Sequence, residues 1–115
     1  MKKSLLAGVI VSSLFAGAAY AEKISGVLID TKCAAKPLKD ENPETAAAKH
    51  PKACAIKCGK DGDMLLISGK NGLKLDDASK AKALEFLAKA ESTKVTVEGE
   101  KKGDTLTITS IEAAK

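Results

Sequence analysis

The chain contains no arginine and no tryptophan, only one tyrosine and two phenylalanines, and a single histidine. Proteins that hold single-stranded nucleic acid stack bases on aromatic rings and use arginine along the backbone. Here lysine supplies every basic side chain and the formal charge is only +4, so nucleic acid is not an expected partner. One histidine, with no G-x-S-x-G, H-E-x-x-H or P-loop run, assembles neither a nucleophile with its base nor a phosphate cradle. A Cys54–His50 pair could form an activated thiolate, but no third group orients it. The expectation is that the protein is not an enzyme. C-x-x-C is also absent, which argues against thioredoxin-type chemistry, and without C-x-x-C-H there is no attachment site for c-type haem. A C-x-x-x-C redox pair is the residual alternative.

Long apolar runs are scarce too. One stretch, Leu5 to Phe15, is broken only by Gly8, Ser12 and Ser13; it follows Lys2 and Lys3 and precedes Ala19-Tyr20-Ala21. A positive start, a short apolar segment and a small-x-small end make residues 1–21 an expected secretory signal peptide. A spanning helix needs roughly 20 apolar residues, so no membrane span is expected after its removal. No cysteine follows the cleavage site to take a lipid. The product is one domain, residues 22–115, periplasmic or secreted, with Phe86 as its only aromatic residue. A domain of this size buries only about 60–65% of its unfolded surface, so it holds one modest core and gains appreciably from a disulfide.

Within that domain, Lys23 to Asp30 has the Ile/Val content of a first strand, with Gly26 where a barrel strand could bend. Ala34 to Gly62 then carries all three prolines, the histidine and two of the three cysteines, just after Cys33. Asn42-Pro43 predicts a short helix over Glu44 to Lys49, and Pro51 a second over Lys52 to Cys58, ended by Gly59. Met64 to Ser68 and Leu73 to Leu75 are strands, with Asn71-Gly72 the expected hairpin turn. Asp76 or Asp77 caps a helix to about Ala90, whose face Ala83, Leu84, Phe86, Leu87 and Ala90 is apolar. Lys82, Glu85 and Lys89 lie opposite. Lys94 to Glu100 and Thr105 to Ile111 alternate, with Val95, Val97, Leu106 and Ile108 inward and a turn at Lys101-Lys102-Gly103. Glu112 to Lys115 is an expected frayed tail. The fold class that follows is mainly β with one principal helix: a five-stranded OB-fold-like barrel with a cysteine-bearing insert between strands 1 and 2.

The cysteines carry what chemistry there is. Exported cysteines tend to oxidise, and three cannot all pair within one chain. Cys54 and Cys58 on a helix would place Cβ atoms about 5–6 Å apart, beyond the roughly 3.5–4.5 Å of a disulfide. Cys33 is therefore the expected partner of one of them. Antiparallel pairing of the first two strands favours Cys58, with Cys54 the alternative partner and otherwise the free thiol. The rival reading is a Cys3His metal set of Cys33, His50, Cys54 and Cys58, suited to zinc or copper, with Met64 able to add a thioether. Simpler roles suit other polar residues: Asp30 an Asx turn ending the strand, Asp61-Gly62-Asp63 a turn, His50 a surface cap.

Gly26-Val27-Leu28-Ile29-Asp30-Thr31-Lys32-Cys33, then His50 to Cys58 as H-x-x-x-C-x-x-x-C, then Val95-Thr96-Val97-Glu98-Gly99, together resemble a family of small secreted bacterial proteins of unassigned function. Its pattern is G-x-x-x-D-x-x-C, a histidine, C-x-x-x-C, a hairpin and a closing V-x-V-x-G. The resemblance implies an OB-like barrel and export, and no activity. The Lys/Ala-rich spacer between Cys33 and His50 is where this chain departs from it. Two functional expectations follow. The first is an exported, non-catalytic binding or interaction module for a small ligand or protein partner, without a cofactor, its insert stapled by a disulfide. The second is a periplasmic zinc- or copper-binding protein.

Overall fold

The computed structural model describes residues 21–114. The expected signal peptide therefore lies outside the described residues, apart from Ala21. Strand β1 (Glu22–Asp30) organises the rest. Its first part pairs antiparallel with β4 (Lys94–Lys102), from Glu22↔Gly99 to Val27↔Lys94. Its second part pairs antiparallel with β2 (Met64–Ser68), from Val27↔Ile67 to Asp30↔Met64. Gly26 lies at this handover, where a Cβ would stand 2.5 Å from the Ile67 carbonyl oxygen, so no side chain fits. Strand β3 (Asn71–Leu75) continues from β2 and meets β5 (Thr105–Ala113) in a short parallel pairing. With β4 and β5 antiparallel, the sheet closes in a ring of order β1-β2-β3-β5-β4.

Period-two alternation fills the ring. Leu28, Met64, Leu66, Leu75, Val95, Val97, Leu106 and Ile108 form its buried interior, as expected for the inward faces of β4 and β5. Helix α4 (Asp77–Lys89) adds Ala83 and Leu87 to the same cluster, with Leu84 and Phe86 against it. Lys82, Glu85 and Lys89 face solvent. Asp76 is the cap: its Oδ1 accepts the Ser79 amide at 2.9 Å and its Oδ2 accepts the Thr107 hydroxyl. Those bonds hold its carboxyl below the usual carboxylate range, first through Ser79 and then through Thr107.

Beyond the ring, the segment between β1 and β2 is helical throughout much of its length: α1 (Thr31–Leu38), α2 (Pro43–Ala48) and α3 (Lys52–Asp61). The expectation of a mainly β chain with one principal helix is thus corrected, since helix and strand hold equal shares of the described residues. Two of the insert helices follow the sequence signals, but α1 was not expected. Its cap, Asp30, read as an Asx turn, and no helix signal was read between Cys33 and Asn42. Pro37 sits in the last turn, where it forfeits only the bond to the Cys33 carbonyl. Gly59 does not end α3; it is buried within it, and Gly62 is the cap. A Cβ at Gly59 would stand 3.0 Å from Met64 Cγ, so this glycine lets α3 lie close on the ring.

Both hairpin turns also shift. Ser68 pairs with Asn71, so Gly69-Lys70 form the first turn and Asn71-Gly72 open β3. Gly69 has φ +61°, which glycine adopts at low cost. Lys102 pairs with Thr105, placing Gly103-Asp104 in the second turn. The expected frayed tail is partly ordered: Glu112 and Ala113 pair with Thr96 and Val95.

Candidate functional site

The candidate site lies where the insert meets the end of β1. Val27 and Ile29 point away from the ring interior and join Ala34, Ala47 and Ile67 in a second, smaller buried cluster, with Cys33 and Ala48 against it. That explains why β1 is buried on both faces from Gly26 to Asp30. The run ends on a fully buried carboxylate, Asp30.

A buried carboxylate must be paired or hydrogen-bonded. Asp30 Oδ2 accepts the Cys33 amide at 2.9 Å, capping α1. Asp30 Oδ1 lies 3.2 Å from His50 Nε2, across twenty residues of chain. His50 is itself mostly covered, its side chain 17% exposed. Its role is therefore a tertiary contact rather than the surface cap expected from the sequence. Asp30 likewise does more than end a strand.

The third partner arrives on α3. Asp30↔Met64 pairing and a bond from the Thr31 amide to the Asp63 carbonyl bring the start of α1 beside the end of α3. Two lysines fix α3 along α4: Lys52 Nζ donates to the Ala90 carbonyl and Lys80 Nζ to the Gly62 carbonyl. Cys58 is thereby held against Cys33 and Asp30, and the two sulfurs and a carboxylate oxygen lie within 4.8 Å of one another. All three cysteines are free thiols. Cys33 and Cys58 are half-buried, while Cys54 is exposed and stands outside this cluster.

Of the four expected metal ligands, then, Cys33 and Cys58 come together, His50 reaches the group through Asp30, and Cys54 does not join it. Met64 is in the ring interior at 0% exposure, so its thioether serves the core. Asp30 is the residue that sequence reasoning undervalued; the available signal was a carboxylate closing a strand three residues before a cysteine. Its hydrogen bond to the Cys33 thiol, followed by burial and then its charge, pushes Cys33 up to about 11. Activated nucleophilic cysteines need the opposite shift.

Beside this corner, α1, α2 and the segment linking them border an open cleft of about 810 Å³. Cys33 and His50 line it, together with Lys32, Lys36, Lys49 and Asp40. Its size lies in the range of small-molecule sites, roughly 300–1,000 Å³. Among the described residues, no helix is long and apolar enough to cross a membrane. No family model, curated protein or solved structure matches the chain.

Proposed function

We propose that this chain is an exported, non-catalytic binding module whose helical insert carries the ligand-binding surface. The observation that carries this reading is the sharing of Cys33 and His50 between the insert's cleft and the buried Asp30 corner. A ligand in the cleft would contact the residues that anchor the insert. The raised pKa of Cys33 supports a non-catalytic role, because its thiolate is suppressed. The ring order and the helix between β3 and β4 support an OB-fold-like barrel as the scaffold. The resemblance to small secreted proteins supports export, as does the small-x-small run ending at Ala21.

In this reading an oxidising compartment joins Cys33 to Cys58 as the staple and leaves Cys54 as the free thiol, which the approach of the two sulfurs to within 4.8 Å supports. Bond formation requires the sulfurs to close to ~2.05 Å. The test is alkylation of protein taken from the periplasm, denatured, chelator-treated, with and without reductant. One labelled thiol rising to three on reduction is expected, with Cys33 and Cys58 recovered as one linked peptide. Mass spectrometry of the same sample should give an N-terminus at Glu22. Three labelled thiols before reduction would overturn the staple, and a product retaining residues 1–21 would overturn the processing.

The second reading, metal binding, is favoured by one observation: two sulfurs and a buried carboxylate already converge. Stoichiometric zinc or copper in untreated periplasmic protein, with all thiols free after chelation, would favour it over the staple.

A further inference from the structure

We propose that in its dithiol state the Asp30 corner is a zinc site, with Cys33 Sγ, Cys58 Sγ and an Asp30 carboxylate oxygen as protein ligands, and that forming the Cys33–Cys58 disulfide abolishes it. This deepens the metal-binding reading by replacing the sequence-derived Cys3His set with a different donor set. The three donor atoms lie within 4.8 Å of one another. Thiolates bound to tetrahedral zinc sit ~2.3 Å from the metal and hence ~3.8 Å apart. A cation between them therefore demands less closure of the pair than a disulfide does.

The donor chemistry selects the ion. Two thiolates and a carboxylate suit zinc, which accepts both sulfur and oxygen, whereas cuprous copper favours all-sulfur sets. Three protein donors leave a fourth position for water or for a group of a ligand in the adjoining cleft, which Cys33 also lines. Asp30 is oriented before any metal arrives: the Cys33 amide fixes one oxygen and His50 the other. Such outer partners govern metal affinity. His50 is thus a positioning residue rather than a ligand.

The two states exclude each other by stoichiometry. Zinc entry releases the two thiol protons to solvent and forms two Zn–S bonds. Exchange with oxidised glutathione instead joins Cys33 to Cys58 and releases two glutathione thiols, so both sulfurs lose the charge that binds metal.

Reduced, chelator-stripped mature protein (residues 22–115), titrated anaerobically with zinc against a chromophoric chelator, should bind one equivalent. Cobalt(II) in its place should give a sulfur-to-cobalt charge-transfer band. Cys33→Ser and Cys58→Ser should each weaken zinc binding by more than ~10-fold, and His50→Gln by about 10-fold. Cys54→Ser should match the parent protein. Asp30→Asn should weaken zinc binding by more than ~10-fold as well; circular dichroism confirms folding, and Cys58→Ser decides the matter where Asp30→Asn does not fold. Oxidised glutathione should remove the site and dithiothreitol restore it. Absence of stoichiometric zinc in the reduced parent, loss of the site in Cys54→Ser, or equal affinity after oxidation would each overturn the proposal. The thiol count described above is independent of these outcomes, so the staple can stand where the zinc site fails.

Discussion

The closed sheet and the helical insert are stabilised in different ways. The ring and α4 bury a large cluster dominated by Leu, Ile, Val and Met. The insert contributes mainly small residues to its interface, among them Ala34, Ala47, Pro37 and Pro43. At roughly 25 cal/mol per Å² of apolar surface, an alanine contributes far less than a leucine. Polar fasteners make up part of the difference: the Asp30 cap, the Asp30–His50 contact and the two lysines that tie α3 to α4. The ring behaves as a hydrophobic core, whereas the insert is a surface layer held at a few points. That division suits a scaffold carrying a binding site on its more easily altered part.

The largest expected effect tests the ring side of this contrast. Leu87 is fully buried on α4, so Leu87→Ala should destabilise by ~2–5 kcal/mol in a cooperative denaturant transition. A change close to zero would mean that α4 is not part of the core.

Next is the staple. Joining Cys33 to Cys58 closes a loop of about 26 residues, contributing ~3.5 kcal/mol in the chain-entropy model. Comparing oxidised and reduced protein by urea denaturation measures it. Hydrogen exchange should show α1 to α3 losing protection on reduction before the ring does. Equal loss in both regions would mean that the insert is not the less stable part of the molecule.

Asp76 provides a smaller effect on the ring side. Removing the cap in Asp76→Ala should cost ~1 kcal/mol. Because its folded pKa is lowered, its stabilisation is fully present above its unfolded value of ~3.9 and is lost as pH falls through the folded pKa. The stability gap between the parent protein and Asp76→Asn should accordingly be constant near neutral pH and narrow in acid. A gap that widens on acidification would contradict the assignment.

The smallest effects are at the surface. Lys82→Ala, on the exposed face of α4, should change stability by less than about 0.5 kcal/mol. In reduced, folded protein at pH 8, iodoacetamide should modify Cys54 first and Cys33 last, as read by peptide mass spectrometry. Exposure orders the first, and the Asp30 carboxylate suppresses the thiolate of the last. Cys33 reacting first would contradict the corner's geometry.

How far the sequence reaches differs between the same two regions. Val95, Val97, Leu106 and Ile108 face inward in the structure as their alternation requires. The amphipathic helix likewise buries Ala83 and Leu87 behind a cap at Asp76. In the insert, helix α1 was hidden by Pro37 and by a cap residue that also ends a strand. The turns slipped because Asn71-Gly72 matches a hairpin rule, while the register across β2 and β3 places Gly69-Lys70 at the bend. Antiparallel pairing favoured Cys58 as the neighbour of Cys33 but left Cys54 open, and the structure brings Cys58 there. The part of Asp30 and His50 was not legible, since no local pattern links residues twenty apart.

Periodicity and capping are local: a few neighbouring side chains determine which face turns inward and where a helix begins. By itself the sequence therefore determined the inward faces of β4 and β5 and the apolar face of α4, and it favoured Cys58 over Cys54 as the neighbour of Cys33. Whether the insert packs on β1, and which polar groups close its corner, depends on contacts between segments far apart in the chain. Only the tertiary structure decided that Asp30 is buried, that His50 reaches it, and that Cys54 is left outside.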